Sequence, residues 1–309
     1  MDGFQIYLPI AEMPVNVIVI LILGGIGGFL SGMFGIGGGF IMTPLLIFIG
    51  VPPAVAVATA SNQIIASSVS GFLAHWQRNN VDIKMGLFLL IGGFVGSSIG
   101  VLLFALLKQI GQIDLVISIS YSLFLGTIGI LMGVESFKAI NNKKKGIIVT
   151  KEKKEHWINK LHLPFVMDFP RSNLKVSAIL PIATGFLAGI LVSIMGIGGG
   201  FIMIPAMIYI IGMPTSVVIG TSLFQIIFTT SNVTFLQAVT TNTVDVVLAI
   251  LLLSGSVIGA QFGTKMGLKL PAERMRASLA VMVVLVALKL AIDLLVTPSN
   301  PFSVSEEGM

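Results

Sequence analysis

The chain has 309 residues, 55% of them hydrophobic and 10% charged, with a formal net charge of +5 and no cysteine. Soluble domains carry roughly 25% charged residues, so a water-soluble fold of this size is excluded, and so are disulfides, thiolate metal sites and cysteine nucleophiles. What remains is a polytopic α-helical membrane protein, in which positive charge reports orientation rather than nucleic-acid binding.

The opening MDGFQIYLPIAEMP contains Asp2 and Glu12 but no Lys or Arg. It lacks the basic start of a cleaved signal peptide, so the first hydrophobic segment, 14 to 34, is expected to be retained. It runs into MFGIGGGFIMTP at 33 to 44. Apolar segments at 52 to 74, 85 to 107 and 115 to 134 follow, each close to or above the roughly 20 residues that cross a bilayer. Residues 138 to 175 are the long polar segment and hold 10 of the 18 Lys and Arg, which marks a cytoplasmic connection between a first membrane repeat, 1 to 137, and a second, 176 to 309. The second repeat reads in the same order: an apolar segment at 176 to 195, IMGIGGGFIMIP at 194 to 205, then spans at 213 to 237, 246 to 264 and 277 to 296.

The two halves match at a period of 161 to 163 residues. Gly35, Gly37, Gly38, Gly39, Phe40 and Pro44 answer to Gly196, Gly198, Gly199, Gly200, Phe201 and Pro205. Thr59, Gln63 and Asp82 answer to Thr221, Gln225 and Asp245, and Gly92, Gly96 and Gly100 to Gly255, Gly259 and Gly263. Arg78 and Lys84 place the loop around Asp82 inside, whereas Lys265, Lys269, Arg274 and Arg276 place the loop between the last two helices inside and therefore the loop at Asp245, one crossing earlier, outside. Duplicated positions therefore fall on opposite faces. The expected architecture is an all-α membrane protein of two inverted-topology repeats, each a glycine-broken helical hairpin plus three spanning helices, with both termini outside and 138 to 175 cytoplasmic.

A helix broken at membrane depth must be buried in protein or line an aqueous cavity. The glycines at 35, 37, 38 and 39, and at 196, 198, 199 and 200, precede the N-terminus of a short helix, where free N–H groups favour an anion. Convergence of two such ends is how inverted-repeat transporters build a substrate site. Thr59, Gln63, Ser67 and Ser70 form one face of the next helix, and Thr221, Gln225, Thr229 and Asn232 repeat it, with Ser61, Asn62 and Ser222 just off the stripe. The later glycines, at GxxxG spacing, read as close helix packing. Lys289 and Asp293, four apart near the outer end of the last helix, are expected to pair or to snorkel. The glycine phrase lacks the Lys-Ser/Thr of a phosphate loop, and the three histidines lack metal-ligand spacing, so neither cofactor nor enzyme activity is expected.

The duplicated phrase, the GTSLF stretch at 220 to 224 and the later G-x3-G-x3-G pattern resemble the sulfite exporter TauE/SafE family of membrane permeases, over essentially residues 14 to 296. That resemblance implies transport of sulfur-containing anions such as sulfite or organosulfonates, usually outward. In the first half GTSLF is replaced by Ala58-Thr59-Ala60-Ser61-Asn62, with only the Thr in common. The expected function is a plasma-membrane exporter of small anions, with Gly35, Gly37, Gly38, Gly39, Thr59, Gln63, Ser67, Gly196, Gly198, Gly199, Gly200, Thr221, Ser222, Gln225 and Thr229 as the substrate-binding set. The rivals are an anion channel and a non-transporting sensor or assembly subunit. Expected partners are the small anion and the lipid bilayer, not nucleic acid; the oligomeric state is left open, a homo-oligomer included.

Overall fold

A computed structural model describes residues 4–34, 38–144, 164–267 and 272–295. Helices α1 (Val17–Phe34) and α2 (Gly39–Phe48) are followed by α3 (Pro53–Gln77), α4 (Ile83–Gln109) and α5 (Ile113–Lys144). The second half repeats the order with α6 (Ile179–Met195), α7 (Gly200–Ala206, prolonged by a wide turn to Ile211), α8 (Thr215–Thr240), α9 (Val246–Gly267) and α10 (Ala272–Leu295). Local chemistry sets several boundaries: Pro53 opens α3 and Pro214 precedes α8, where a missing N–H costs nothing. Among the described residues, Ile83–Gln109, Ile113–Ile130, Val217–Thr240 and Val246–Gly263 are long and apolar enough to cross a membrane. Exposed Leu87, Ile91, Leu123, Ile250 and Ile258 turn outward, as a lipid-facing surface requires.

Each half also begins with a short antiparallel β-hairpin that sequence reading did not anticipate. Strands β1 (Gln5–Leu8) and β2 (Met13–Asn16) precede α1, and β3 (Val166–Phe169) and β4 (Leu174–Ser177) precede α6. They are 161 residues apart, so the duplication starts before the first helix. With α5 running to Lys144 and structured chain present from residue 164, part of the 138 to 175 segment is helix and hairpin.

Packing between the halves is reciprocal. Helix α1 lies along α9, and α4 along α6, each pair running in parallel. A methyl group added at Gly255, Gly259 or Gly263 would sit 2.0–2.2 Å from the backbone oxygens of Leu21, Gly25 and Phe29, and one at Gly92 or Gly96 within 2.0 Å of those of Ile182 and Phe186. These glycines let backbones touch, which is what holds helices together where water cannot drive association. Helices α3 and α8 cross antiparallel: Gly71 meets Leu223 while Gly220 meets His75. Helices α5 and α10 are antiparallel too, with Gly129 against Val284 and Gly126 nearest Ala287.

The two short helices double back. Met42 and Leu46 of α2 share a core with Leu8 and Val15 of the first hairpin, and Met203 and Ile211 share one with Phe169 and Val176 of the second. Each of α2 and α7 thus returns to the end from which its partner helix set out. Lys289 pairs with Asp293 at 2.8 Å, as their spacing suggested, and its ammonium also lies 4.3 Å from the Phe48 ring centre at the end of α2.

Candidate functional site

The glycine bends meet. Gly38 (φ 70°) and Gly199 (φ 74°) are the residues immediately before α2 and α7, both in the left-handed conformation that side chains disfavour. Gly196 (φ 63°) ends α6 and Gly198 (φ 77°) is also left-handed. A methyl group at Gly39 would fall 2.2 Å from Ile64 and 2.9 Å from the Gly196 oxygen, so the two bends touch through their backbones. Phe40 stacks on Phe201, its counterpart, with ring centres 4.8 Å apart and planes within 9°. Both rings are buried, and Ile64 packs beside them against Gly39 and Gly198. Gly35 and Gly37 lie outside the described residues.

Within the short helices, Ile41 and Met42 donate to the Gly38 carbonyl, and Ile202 and Met203 to that of Gly199. The N–H groups just ahead of them, at Gly39, Phe40, Gly200 and Phe201, precede any possible intrahelical acceptor. Pro44 and Pro205 lie one turn further on and cannot donate to the carbonyls of Phe40 and Phe201. Each bend therefore concentrates backbone polarity at both edges of one apolar stack.

The polar stripes divide into two groups. Near the helix ends, Thr59 Oγ1 accepts from Asp245 N at 3.1 Å, and Thr221 Oγ1 accepts from Asp82 N at 2.9 Å. Asp82 and Asp245 are themselves buried caps: Oδ1 of each accepts from the N–H three residues on, Met85 and Leu248, at 3.0 Å. Their Oδ2 atoms hold the opposite half's hairpin, Asp82 through Ser172 N and Oγ, and Asp245 through Ile10 N and Ala11 N. Thr59 and Thr221 thus belong to a structural clamp. The sequence repeat contained these aspartates, and the Asp-x-x pattern before an apolar helix was the signal for their role.

Deeper in the helices are Gln63 and Gln225, 0% and 1% exposed. Gln63 Nε2 lies 3.2 Å from Ser256 Oγ, and Gln225 Nε2 lies 2.8 Å from Thr229 Oγ1. The remaining oxygen of each amide is buried with no hydrogen-bond partner. The difference in partners follows from the repeat: Gly93 stands where the other half has Ser256, and a methyl group there would be 2.7 Å from Gln225 Nε2. Ser67 donates to the Ile64 carbonyl and Ser222 to that of Ile219, while Asn232 reaches Ser97 and Ser98 on α4. The structure therefore brings together Gly38, Gly39, Gly196, Gly198, Gly199 and Gly200, sets Gln63, Gln225 and Thr229 in the adjoining helices, and leaves Thr59, Ser67, Thr221 and Ser222 in backbone bonds.

The model of the family described as Sulfite exporter TauE/SafE matches residues 20–290. Among curated proteins, the chain is 28% identical over 286 residues to a probable membrane transporter protein, YunE, of Bacillus subtilis (strain 168), covering 88% of this chain and 96% of that one. It is 29% identical over 265 residues to a probable membrane transporter protein of Xylella fastidiosa (strain 9a5c), covering 84% and 88%. A shorter match, 33% over 118 residues, joins 35% of the chain to 24% of Sulfite exporter TauE/SafE family protein 3 of Arabidopsis thaliana. No solved structure matches. With helical spans, paired glycine bends and a family match across nearly the whole chain, the protein belongs to the Sulfite exporter TauE/SafE family and is a multi-pass membrane transporter.

Proposed function

We propose that the chain exports small sulfur-containing anions, such as sulfite or organosulfonates, by alternating access of two inverted halves about the glycine bends. The observation that carries this reading is the meeting of the bends at Gly39 and Gly196 with Phe40 stacked on Phe201, while Ile64 and Ile226, which pack on the bend glycines, are each preceded in the chain by a buried glutamine whose amide has an unpaired end. Hydroxyls both donate and accept, so turning either amide over keeps its bond to Ser256 or Thr229 and offers its NH2 group instead. Two NH2 groups and the free backbone N–H groups at the helix starts are donors suited to a weakly hydrated oxyanion, without a salt bridge that would oppose release.

Inversion is supported by direction. The equivalent helices α3 and α8 run antiparallel, and Asp82 and Asp245, which open α4 and α9, lie at opposite ends of them. Arg78, Lys84, Arg171 and Lys175 gather at one of these ends, which by the positive-inside rule is cytoplasmic. An inside-negative potential then favours outward anion movement by about 2.3 kcal/mol per charge per 100 mV. The stacked rings and Ile64 fill the space between the bends, which favours a carrier open to one side at a time over a continuous pore.

Purified protein in liposomes, assayed with radiolabelled sulfite and with sulfate and taurine as competitors, tests the reading. Saturable flux with counterflow is expected, and it should disappear in Gly38→Leu/Gly199→Leu protein that still elutes as a single folded species. Absence of sulfite flux in the unmodified protein under every imposed voltage or pH gradient would remove sulfite as the substrate.

A further inference from the structure

A cavity lies at the C-terminal end of α3. It has a volume of about 340 Å³, and Trp76, Asn79, Asp82, Lys84, Pro170 and Arg171 are among the residues that line it. It forms where the α3–α4 turn meets the second hairpin, and the clamp of Asp82 on Ser172 fixes that junction. Arg171 donates to Asn79 Oδ1 at 3.1 Å and to the Asn79 carbonyl at 3.5 Å. Lys84 donates to the Asp168 carbonyl at 2.8 Å and lies 5.4 Å from the Phe169 ring centre. A guanidinium has five N–H donors and an ammonium three, so both cations keep donors to spare. The nearby carboxylates are engaged: Asp82 is buried in its cap, and Asp168 faces Lys175 at 3.3 Å.

The duplication supplies an internal comparison. At the opposite end the same turn recurs, with Asn242 (φ 50°) where this one has Asn79 (φ 56°), and with the hairpin held by Asp245. There Arg171, Lys84 and Trp76 are replaced by Ile10, Val247 and Val239. The backbone architecture therefore forms without the cations and the indole; orientation accounts for positive charge at this end, but not for its placement with an indole around one cavity. Trp76 is half exposed in the last turn of α3, as is Leu73 one turn earlier, and on α4 exposed Leu87 and Ile91 follow Lys84 along one helical face. An indole at a helix end beside lipid-facing aliphatics sits at headgroup depth.

We propose that this cavity binds the phosphate of an anionic phospholipid headgroup, with Lys84 and Arg171 supplying the charge and Trp76 flanking the glycerol. Chains of the bound lipid would run along Leu87 and Ile91. The proposal is independent of which anion the protein carries.

Native mass spectrometry of the purified full-length protein, exposed to equal amounts of phosphatidylglycerol and phosphatidylcholine, tests it. Retention of phosphatidylglycerol over phosphatidylcholine is expected, falling on the order of tenfold in Lys84→Ala/Arg171→Ala protein and unchanged in Lys289→Ala, which removes a cation elsewhere. Equal retention of the two lipids, or an undiminished preference in the double variant, would overturn it. Should the double variant fail to fold, the unmodified protein decides: the preference must weaken between about 50 mM and about 500 mM NaCl, because a charge-held headgroup is screened, and a salt-independent preference would overturn the proposal. Inorganic phosphate, glycerol phosphate and sulfite are the competing soluble anions. If one of them occupies the protein and phosphatidylglycerol does not displace it, the cavity is a soluble-anion site and the lipid assignment falls.

Discussion

At the scale of single residues, the chain uses buried polarity in two different ways. Asp82 and Asp245 have their carboxylates filled by backbone and hydroxyl donors, so removing either leaves several donors unpaired inside the protein. Asp82→Ala should lower stability by about 2–4 kcal/mol, and Asp245→Ala by a similar amount, read as a drop in thermal midpoint in detergent. Equal loss in both variants is the expectation of a reciprocal clamp; a harmless Asp82→Ala would mean that the hairpin is held otherwise. Gln63 and Gln225 present the contrasting case, since half of each amide makes no bond in the resting protein. Leucine at both positions removes two buried oxygens that have no partner, which offsets the loss of one accepted hydrogen bond, about 1 kcal/mol, at each of Ser256 Oγ and Thr229 Oγ1. Gln63→Leu/Gln225→Leu should therefore keep its thermal midpoint while sulfite flux falls by about a hundredfold or more, equivalent to losing two charge-assisted hydrogen bonds. Wild-type flux in that variant would take the amides out of the site.

Helices in this protein are positioned by what their glycines permit. The α1–α9 and α4–α6 seams have backbone oxygens where a methyl group would have to go, and no rotamer change can relieve a clash with a carbonyl. Gly259→Leu should abolish folding, seen as loss of monodisperse protein on size exclusion. Gly133 on α5 is the useful control, because nothing lies within 4 Å of a methyl group there. Gly133→Ala should stabilise the helix by up to about 1 kcal/mol through propensity alone. The short helices α2 and α7 follow a different logic. Both begin at a left-handed glycine and contain a proline, Pro44 or Pro205, so their ends are defined while their interiors lack one bond of the ladder.

For the whole molecule, the question is which end faces which compartment. The natural absence of cysteine makes this directly measurable. Tyr7 on the first hairpin is exposed, as is Lys175 on the second. With a membrane-impermeant maleimide, Tyr7→Cys should label in intact cells and Lys175→Cys only after the membrane is opened. Labelling of both from the same side would contradict an inverted arrangement and, with it, alternating access around a shared axis. The same pair of variants reports the positive-inside orientation, since the reversed result would place the basic end outside.

Much of this architecture was legible in the sequence because membrane helices are written in long apolar runs and because the chain says most things twice. Segments 52 to 74, 85 to 107 and 246 to 264 anticipate α3, α4 and α9 closely, and the repeated triple glycine marks the breaks. The hairpins at 5 to 16 and 166 to 177 were not legible: four-residue strands carry too short an alternation, and the second lies next to a basic run that reads as linker. Nor does spacing along a helix tell a hydroxyl that lines a site from one that holds a distant backbone. Thr59 and Gln63 share one face of α3, yet Thr59 serves Asp245 and Gln63 keeps a free amide end. The sequence by itself determined the membrane class, the duplication and the two bends, since these depend on hydrophobicity, repetition and glycine, all local properties. Only the tertiary structure decided that the bends touch, that Phe40 stacks on Phe201 and that each half's aspartate holds the other half's hairpin, because those contacts join residues about half the chain apart.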